Sequence, residues 1–137
     1  MTSTGSDDPA RELADYYPAW LDNLAEDVTL EGSMMDGFVQ GAEAVRSVIA
    51  CIRTLYDYQD FHSVGAFGDN GWFEDYTAGV RGEAIKNITV VTRNAAGQTQ
   101  YVVGNYRPRS TLLLLSRLLG EKFAGTPIGE HFLVSGS

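Results

Sequence analysis

The stretch YQDFHSVGAFGDNGWFEDYTAGVRGEAIKNITVVTRNAAGQTQYVVGNYR, residues 58–107, decides the fold. Apolar and aromatic residues alternate there with polar ones at a period of two, the period of half-buried strands. Gly68-Asp69-Asn70-Gly71 and Asn94-Ala95-Ala96-Gly97 are tight-turn signals between the runs. The reading is strands over 58–67, 72–83, 87–93 and 99–107 in hairpin succession, an antiparallel meander.

Upstream, the period changes to 3.6 over residues 42–57, where Val45, Val48, Ile49, Ile52, Leu55 and Tyr56 line one face. Glu43 in the first turn suits the helix dipole. Leu13, Tyr16, Tyr17, Trp20, Leu21 and Leu24 recur at helical spacing and predict a helix from Arg11, kinked or divided at Pro18. A short strand is expected over 28–30. Gly32, Gly37 and Gly41 then mark a loop around Met34, Met35 and Phe38. Downstream, Pro108 ends the last strand. STLLLLSRLLGEKFA, residues 110–124, is a helix apolar on all sides, expected to cover a cavity end or join a dimer contact. Residues 1–10 read as a flexible lead-in, 11–124 as one domain and 125–137 as a mostly loop tail. Helices before a meander imply an α+β fold. A long twisted sheet curls, so the expectation is a cone-shaped sheet wrapped around the N-terminal helices, with a short C-terminal helix. Its outer face stays bare, and self-association as a homodimer would cover it.

The 137 residues hold 10 Lys+Arg against 18 Asp+Glu, a net charge of −8 that disfavours nucleic acid and anionic membrane as partners. Cys51 is the single cysteine, so neither a disulfide scaffold nor a multi-cysteine zinc site is expected; it reads as a small core residue. No run of about 18 apolar residues spans a membrane, and the polar start does not read as a secretory signal. A soluble, cytoplasmic, reduced protein is the expectation. His62 and His131 are too far apart to suggest a metal site. No phosphate-binding glycine loop, nucleophile elbow or Ser–His–Asp pattern is present, so no cofactor is expected.

Four strings carry a resemblance: LAEDVTLEG at 24–32, QGAEAVRSVI at 40–49, WFEDYTAGVRG at 72–82 and ITVVTRNAAGQTQYVVGNYRP at 88–108. With the element order, they make the chain resemble the nuclear transport factor 2-like superfamily, in particular its SnoaL-like group, over roughly residues 11–123. The resemblance implies a conical α+β barrel with a central pocket, commonly in a homodimer. The superfamily hosts isomerases, cyclases, epoxide hydrolases, dehydratases and binders, so fold alone does not assign chemistry. In its ketosteroid isomerase branch, the general-base aspartate aligns with Gly32 and the oxyanion-hole aspartate with Thr89. Gly32 cannot act as a base, and Thr89 is a far weaker donor than a protonated carboxyl.

Glu74 shares a strand face with Trp72, Tyr76, Ala78 and Val80. A carboxyl among apolar neighbours is poised for proton transfer near neutral pH, so Glu74 is the candidate catalytic group, with His62 as its candidate assistant. Tyr17 and Trp20 on the first helical segment, Met34 and Phe38 at a pocket rim, Trp72 and Tyr76 on the Glu74 face, and Asn105 on the last strand are candidate ligand-binding residues. Asn105 and Tyr106 lie on opposite faces, so one of them faces inward. These residues suit a small, mostly apolar molecule handled by acid–base chemistry, of isomerase, cyclase, dehydratase or hydrolase type. The alternatives are a non-catalytic binding module and a structural homodimer whose side chains fill the cone.

Overall fold

The computed structural model describes residues 13–133. Within them lie six strands and two α-helices: β1 (Leu24–Gly32), β2 (Val39–Gln40), α1 (Ala42–Leu55), β3 (Tyr56–Phe67), β4 (Gly71–Val80), β5 (Glu83–Arg93), β6 (Thr99–Arg107) and α2 (Arg109–Lys122). Short 3-10 turns stand at Ala19–Asp22 and Ile128–His131. The strands form one sheet in the order β2-β1-β6-β5-β4-β3. β3 to β6 are the antiparallel meander, and β1 joins it parallel to β6. The sheet bends around α1 and α2, giving an α+β fold with a concave, covered face and a convex, bare one.

The first helical stripe is divided at Pro18, with helical geometry at residues 13–14 and a 3-10 turn at Ala19–Asp22. Residues 16–18 are irregular, and β1 is already under way at Leu24. Pro18 explains this: it has no N–H and disfavours helical geometry at Tyr17. The expected strand over 72–83 is likewise two strands. Val80 pairs with Glu83 across a two-residue turn in which Arg81 (φ 52°) and Gly82 (φ 83°) are both left-handed. That is the twist a tight hairpin needs, and Arg-Gly signals it more weakly than Asn-Gly.

Pairing across the meander carries each face from strand to strand. Tyr76 lies beside Asn87, which lies beside Tyr106; Glu74 lies beside Thr89, which lies beside Gly104. The concave face buries Ala78, Val80, Ile85, Val91 and Val102 against Val45, Val48 and Ile52 of α1 and Leu115 and Leu119 of α2. α2 therefore spends its apolar side in the shared core, and among the described residues it contributes nothing to the cavity lining. This corrects the expectation that it caps the cavity's end.

The segment after α2 is tied down. Phe132 is buried, the Leu133 N–H donates to Ser116 Oγ (3.2 Å), and the Asp36 N–H donates to the His131 carbonyl (2.9 Å). Gly120 permits this docking, because a Cβ there would stand 1.9 Å from the Leu133 carbonyl oxygen. Gly→Ala inside a helix normally stabilises by about 1 kcal/mol. Here Gly120→Ala is expected to destabilise instead, by about 1–3 kcal/mol through overpacking. Denaturant unfolding reads the sign, and a stabilised variant would show that the docked segment yields freely.

Candidate functional site

β4 presents Trp72, Glu74 and Tyr76 to the concave face in succession. Around them, Phe61 and Gln59 come from β3, Thr89 from β5, Val102, Gly104 and Tyr106 from β6, and Ile49, Ile52 and Arg53 from α1. Pro18, Trp20, Leu21, Leu30 and Met34 complete the wall. The cavity measures about 50 Å³, small against the roughly 300–1,000 Å³ of drug-sized ligand sites.

Glu74 is 3% exposed. Its Oε2 accepts hydrogen bonds from the Tyr16 hydroxyl and from Trp20 Nε1–H (2.9 Å), and Trp72 Nε1–H donates to the Tyr16 oxygen (2.8 Å). Among the described residues, no donor reaches Oε1. Loss of water raises the Glu74 pKa; the bonds from Tyr16 and Trp20 and the charge of Arg53 pull it down without cancelling the rise. Tyr16 is pushed upward too, first by burial and then by its bond to Glu74. A carboxyl with one anchored oxygen and one unengaged oxygen can accept or deliver a proton on the side facing the cavity.

Opposite stands a cluster of hydroxyls. Tyr56 and Tyr76 share a hydrogen bond of 2.7 Å, and Tyr56 reaches Tyr106 at 3.4 Å. Asn87, 1% exposed, spends its amide protons on Tyr76 (2.8 Å) and Thr89 Oγ1 (2.7 Å), while its oxygen accepts the Asn105 backbone N–H (2.9 Å). The amide is thereby locked in one orientation. Burial is the first cause raising the pKa of Tyr56, Tyr76 and Tyr106, so all three stay protonated at neutral pH. When Tyr56 donates to Tyr106, it receives its own bond from Tyr76, and the Tyr106 proton remains for a ligand oxygen. Such a chain polarises each bond in turn.

Glu74, Trp20, Met34 and Tyr76 are the sequence candidates that line this cavity. Trp72 stands behind it, holding Tyr16. The remaining candidates lie elsewhere. His62 is on the exposed convex side, bonded to Thr77 Oγ1 (2.7 Å), because a bulge between Phe61 and Ser63 leaves Phe61, not His62, facing inward. Tyr17 is 49% exposed and donates to Asp22 (2.9 Å); its neighbour Tyr16 makes the inward bond. Phe38 is 52% exposed. Asn105 turns outward to donate to the Ile88 carbonyl (3.0 Å), and Tyr106 faces inward in its place. Cys51 is half-buried at the edge of the core. Asn87, Thr89, Tyr56 and Arg53 were not singled out for the pocket. Alternation along β5 groups Asn87 with Thr89 and Val91, but only the register of β5 on β4 sets Asn87 beside Tyr76. Among the described residues no cluster of three or more His, Cys, Asp or Glu could hold a metal ion, and no helix is long and apolar enough to cross a membrane.

No family model matches the chain and no curated protein sequence matches it. Solved structures do. An uncharacterized protein with a cystatin-like fold from Silicibacter pomeroyi DSS-3 superposes with a TM-score of 0.71 at 18% identity, over 77% of this chain and 74% of that one. A steroid delta-isomerase from Pseudomonas aeruginosa gives 0.70 at 20% identity, over 78% and 79%. The fold is nuclear transport factor 2-like. A SnoaL-like family protein from Agrobacterium tumefaciens str. C58 aligns at 0.52 and 15% identity, over 73% of this chain and 98% of that one. Within this nuclear transport factor 2-like scaffold, Gly32 has no room for a side chain, since a Cβ would stand 2.3 Å from the Gly104 carbonyl oxygen. The carboxyl in the cavity stands instead on β4, across from Thr89.

A carboxyl whose pKa is raised on folding favours the protonated folded state. Its contribution is complete below the ordinary value of 4.5 and is lost as pH rises through the folded pKa. Glu74→Gln, which cannot ionise, lacks this dependence. The thermal stability of wild type relative to Glu74→Gln is therefore expected to decline as pH climbs from 4.5 toward neutrality. Melting temperatures of both proteins across that range test it; a flat difference would mean burial does not govern Glu74.

Proposed function

We propose that this protein is a cofactor-independent isomerase that moves a proton within a small, mostly apolar molecule bearing one polar oxygen. Glu74 is the proton carrier, and the Tyr106 hydroxyl holds the oxygen on which charge gathers, with Tyr76 and Tyr56 relaying hydrogen bonds to it. The observation that carries this reading is the buried Glu74 carboxyl with one oxygen anchored by Tyr16 and Trp20 and the other unengaged among the described residues, at the edge of a cavity floored by tyrosines. Glu74 is the one carboxyl among the described lining residues. A proton shift needs one group that takes a proton and returns it, whereas hydrolysis and hydration call for a second group to activate water. The steroid delta-isomerase likeness agrees with this class of chemistry. A cavity of about 50 Å³ calls for a substrate far smaller than a steroid.

Hydrogen–deuterium exchange at carbon tests the proposal without knowing the substrate. Small enolisable ketones incubated with the protein in D₂O, followed by NMR, are expected to exchange faster than in buffer. Glu74→Gln is expected to lower that rate by about 10²–10⁴-fold, and Tyr106→Phe by a smaller factor. A second reading rests on the cavity's size: space for only a few waters suits a structural carboxyl in a filled cone. Exchange unaffected by Glu74→Gln in a folded protein would establish that reading.

For the partner we infer a second copy of the chain on the convex face. Phe73, Val90 and Val103 adjoin across β4, β5 and β6, with Ile88 beside them and Tyr101 53% exposed. Asp75 pairs beside Ile88 at the edge of this patch, and Lys86 and Arg107 pair with each other further along the same strands. Sedimentation is expected to give a dimer for wild type and a folded monomer for Val90→Glu. A monomeric wild type would remove the proposal.

A further inference from the structure

We propose a second binding site, outside the cavity of Glu74, for an aromatic carboxylate anchored by Arg93. Beyond Trp20 and Tyr16 lies a depression of about 280 Å³ whose described lining includes Tyr16, Tyr17, Trp20, Trp72 and Arg93. Four aromatic rings around one hollow offer stacking and edge-on contact to a planar ring. Their polar atoms are largely committed elsewhere. Trp20 Nε1–H goes to Glu74, Trp72 Nε1–H to Tyr16, the Tyr16 hydroxyl to Glu74 and the Tyr17 hydroxyl to Asp22.

The other lining groups are spent in the same way. Asn23 Nδ2 donates to the Gly97 carbonyl (3.1 Å) and Thr99 Oγ1 to the Trp20 carbonyl (2.9 Å). Arg93 differs. Its backbone N–H donates to the Asn70 carbonyl (2.8 Å) in the turn between β3 and β4, and none of the side-chain hydrogen bonds among the described residues engages its guanidinium. Its position on the concave face, in line with Thr89 and Val91, brings it to the rim beside Trp72. A half-buried guanidinium facing aromatic walls is built for a planar anion, which it grips with two parallel N–H bonds.

Charge narrows the ligand further. One guanidinium neutralises one negative charge. Asp22 stands near the mouth through its bond to Tyr17, and the chain carries −8 overall. A dianion such as a phosphate monoester is repelled by that surface, whereas a monoanionic carboxylate with a stacking body gains from both the rings and the arginine. The site does not depend on Glu74 acting as a proton carrier. It adjoins the Glu74 cavity through Trp20, which lines both spaces, and through Tyr16, whose hydroxyl donates to Glu74.

Benzoate is the probe, and methyl benzoate, its uncharged counterpart, is the control. The chain's two tryptophans, Trp20 and Trp72, both line the depression, so indole emission reports on this place directly. Calorimetric titration is expected to show benzoate binding accompanied by a change in that emission. The ester should bind about tenfold more weakly or worse, and so should benzoate to Arg93→Gln. Arg93→Lys is expected to fall between, keeping the charge but losing the fork. Arg53→Gln, which alters the inner cavity and whose charge also reaches Tyr17, should lose less benzoate binding than Arg93→Gln does. Should Arg93→Gln fail to fold, the acid–ester comparison on wild type and Arg93→Lys still decide. No benzoate binding at millimolar concentration, equal binding of acid and ester, or loss confined to Arg53→Gln would each overturn the site.

Discussion

The burial of Glu74 is the constraint around which this molecule is arranged. Strand geometry puts it in the same row as Tyr76, Ala78 and Val80, and that row must face the helices to build a core. A carboxyl taken out of water in this way is costly unless donors meet it. The segment ahead of β1 supplies them. Tyr16 and Trp20, far away in sequence, reach over the sheet to the same oxygen, and Trp72 braces Tyr16 from two residues before Glu74. The irregular chain around Pro18 thus has a structural purpose: a continuous helix there would fix the two side chains by its own pitch rather than by the acid they serve.

The hydroxyl cluster has a different origin. Tyr76, Asn87 and Tyr106 are direct neighbours across three strands, and Tyr56 arrives from the junction of α1 and β3. One amide, locked by the Asn105 backbone, orients hydroxyls on two strands. Buried polar networks are favourable only when their members are satisfied; among the described residues, the Glu74 Oε1 has no donor.

Two compartments meet at Trp20. The inner one is small and bordered by an acid and hydroxyls; the outer one is wider and lined by aromatic rings and an arginine. Scaffolds of this shape in other proteins carry varied chemistry, and likeness below 25% identity speaks for the scaffold alone. The chemistry of this chain therefore rests on its own side chains.

Much of the scaffold was legible in the order of residues alone. Period-two alternation in 58–107, the two glycine-bearing turns, and the apolar stripe of 42–57 determined the meander and its covering helix, because each is a local signal. The same alternation put Glu74 on a face with Tyr76. Tertiary structure decided the rest. Whether Tyr16 or Tyr17 turns inward depends on how the chain leaves Pro18. His62 lies outside because a bulge shifts the register of β3 by one residue, which exchanges the faces of a strand. Tyr106, not Asn105, meets the cavity because the direction of sheet curvature selects which face is concave. Local sequence sets the period of a strand; only the pairing of distant strands assigns its two faces to the core and to water.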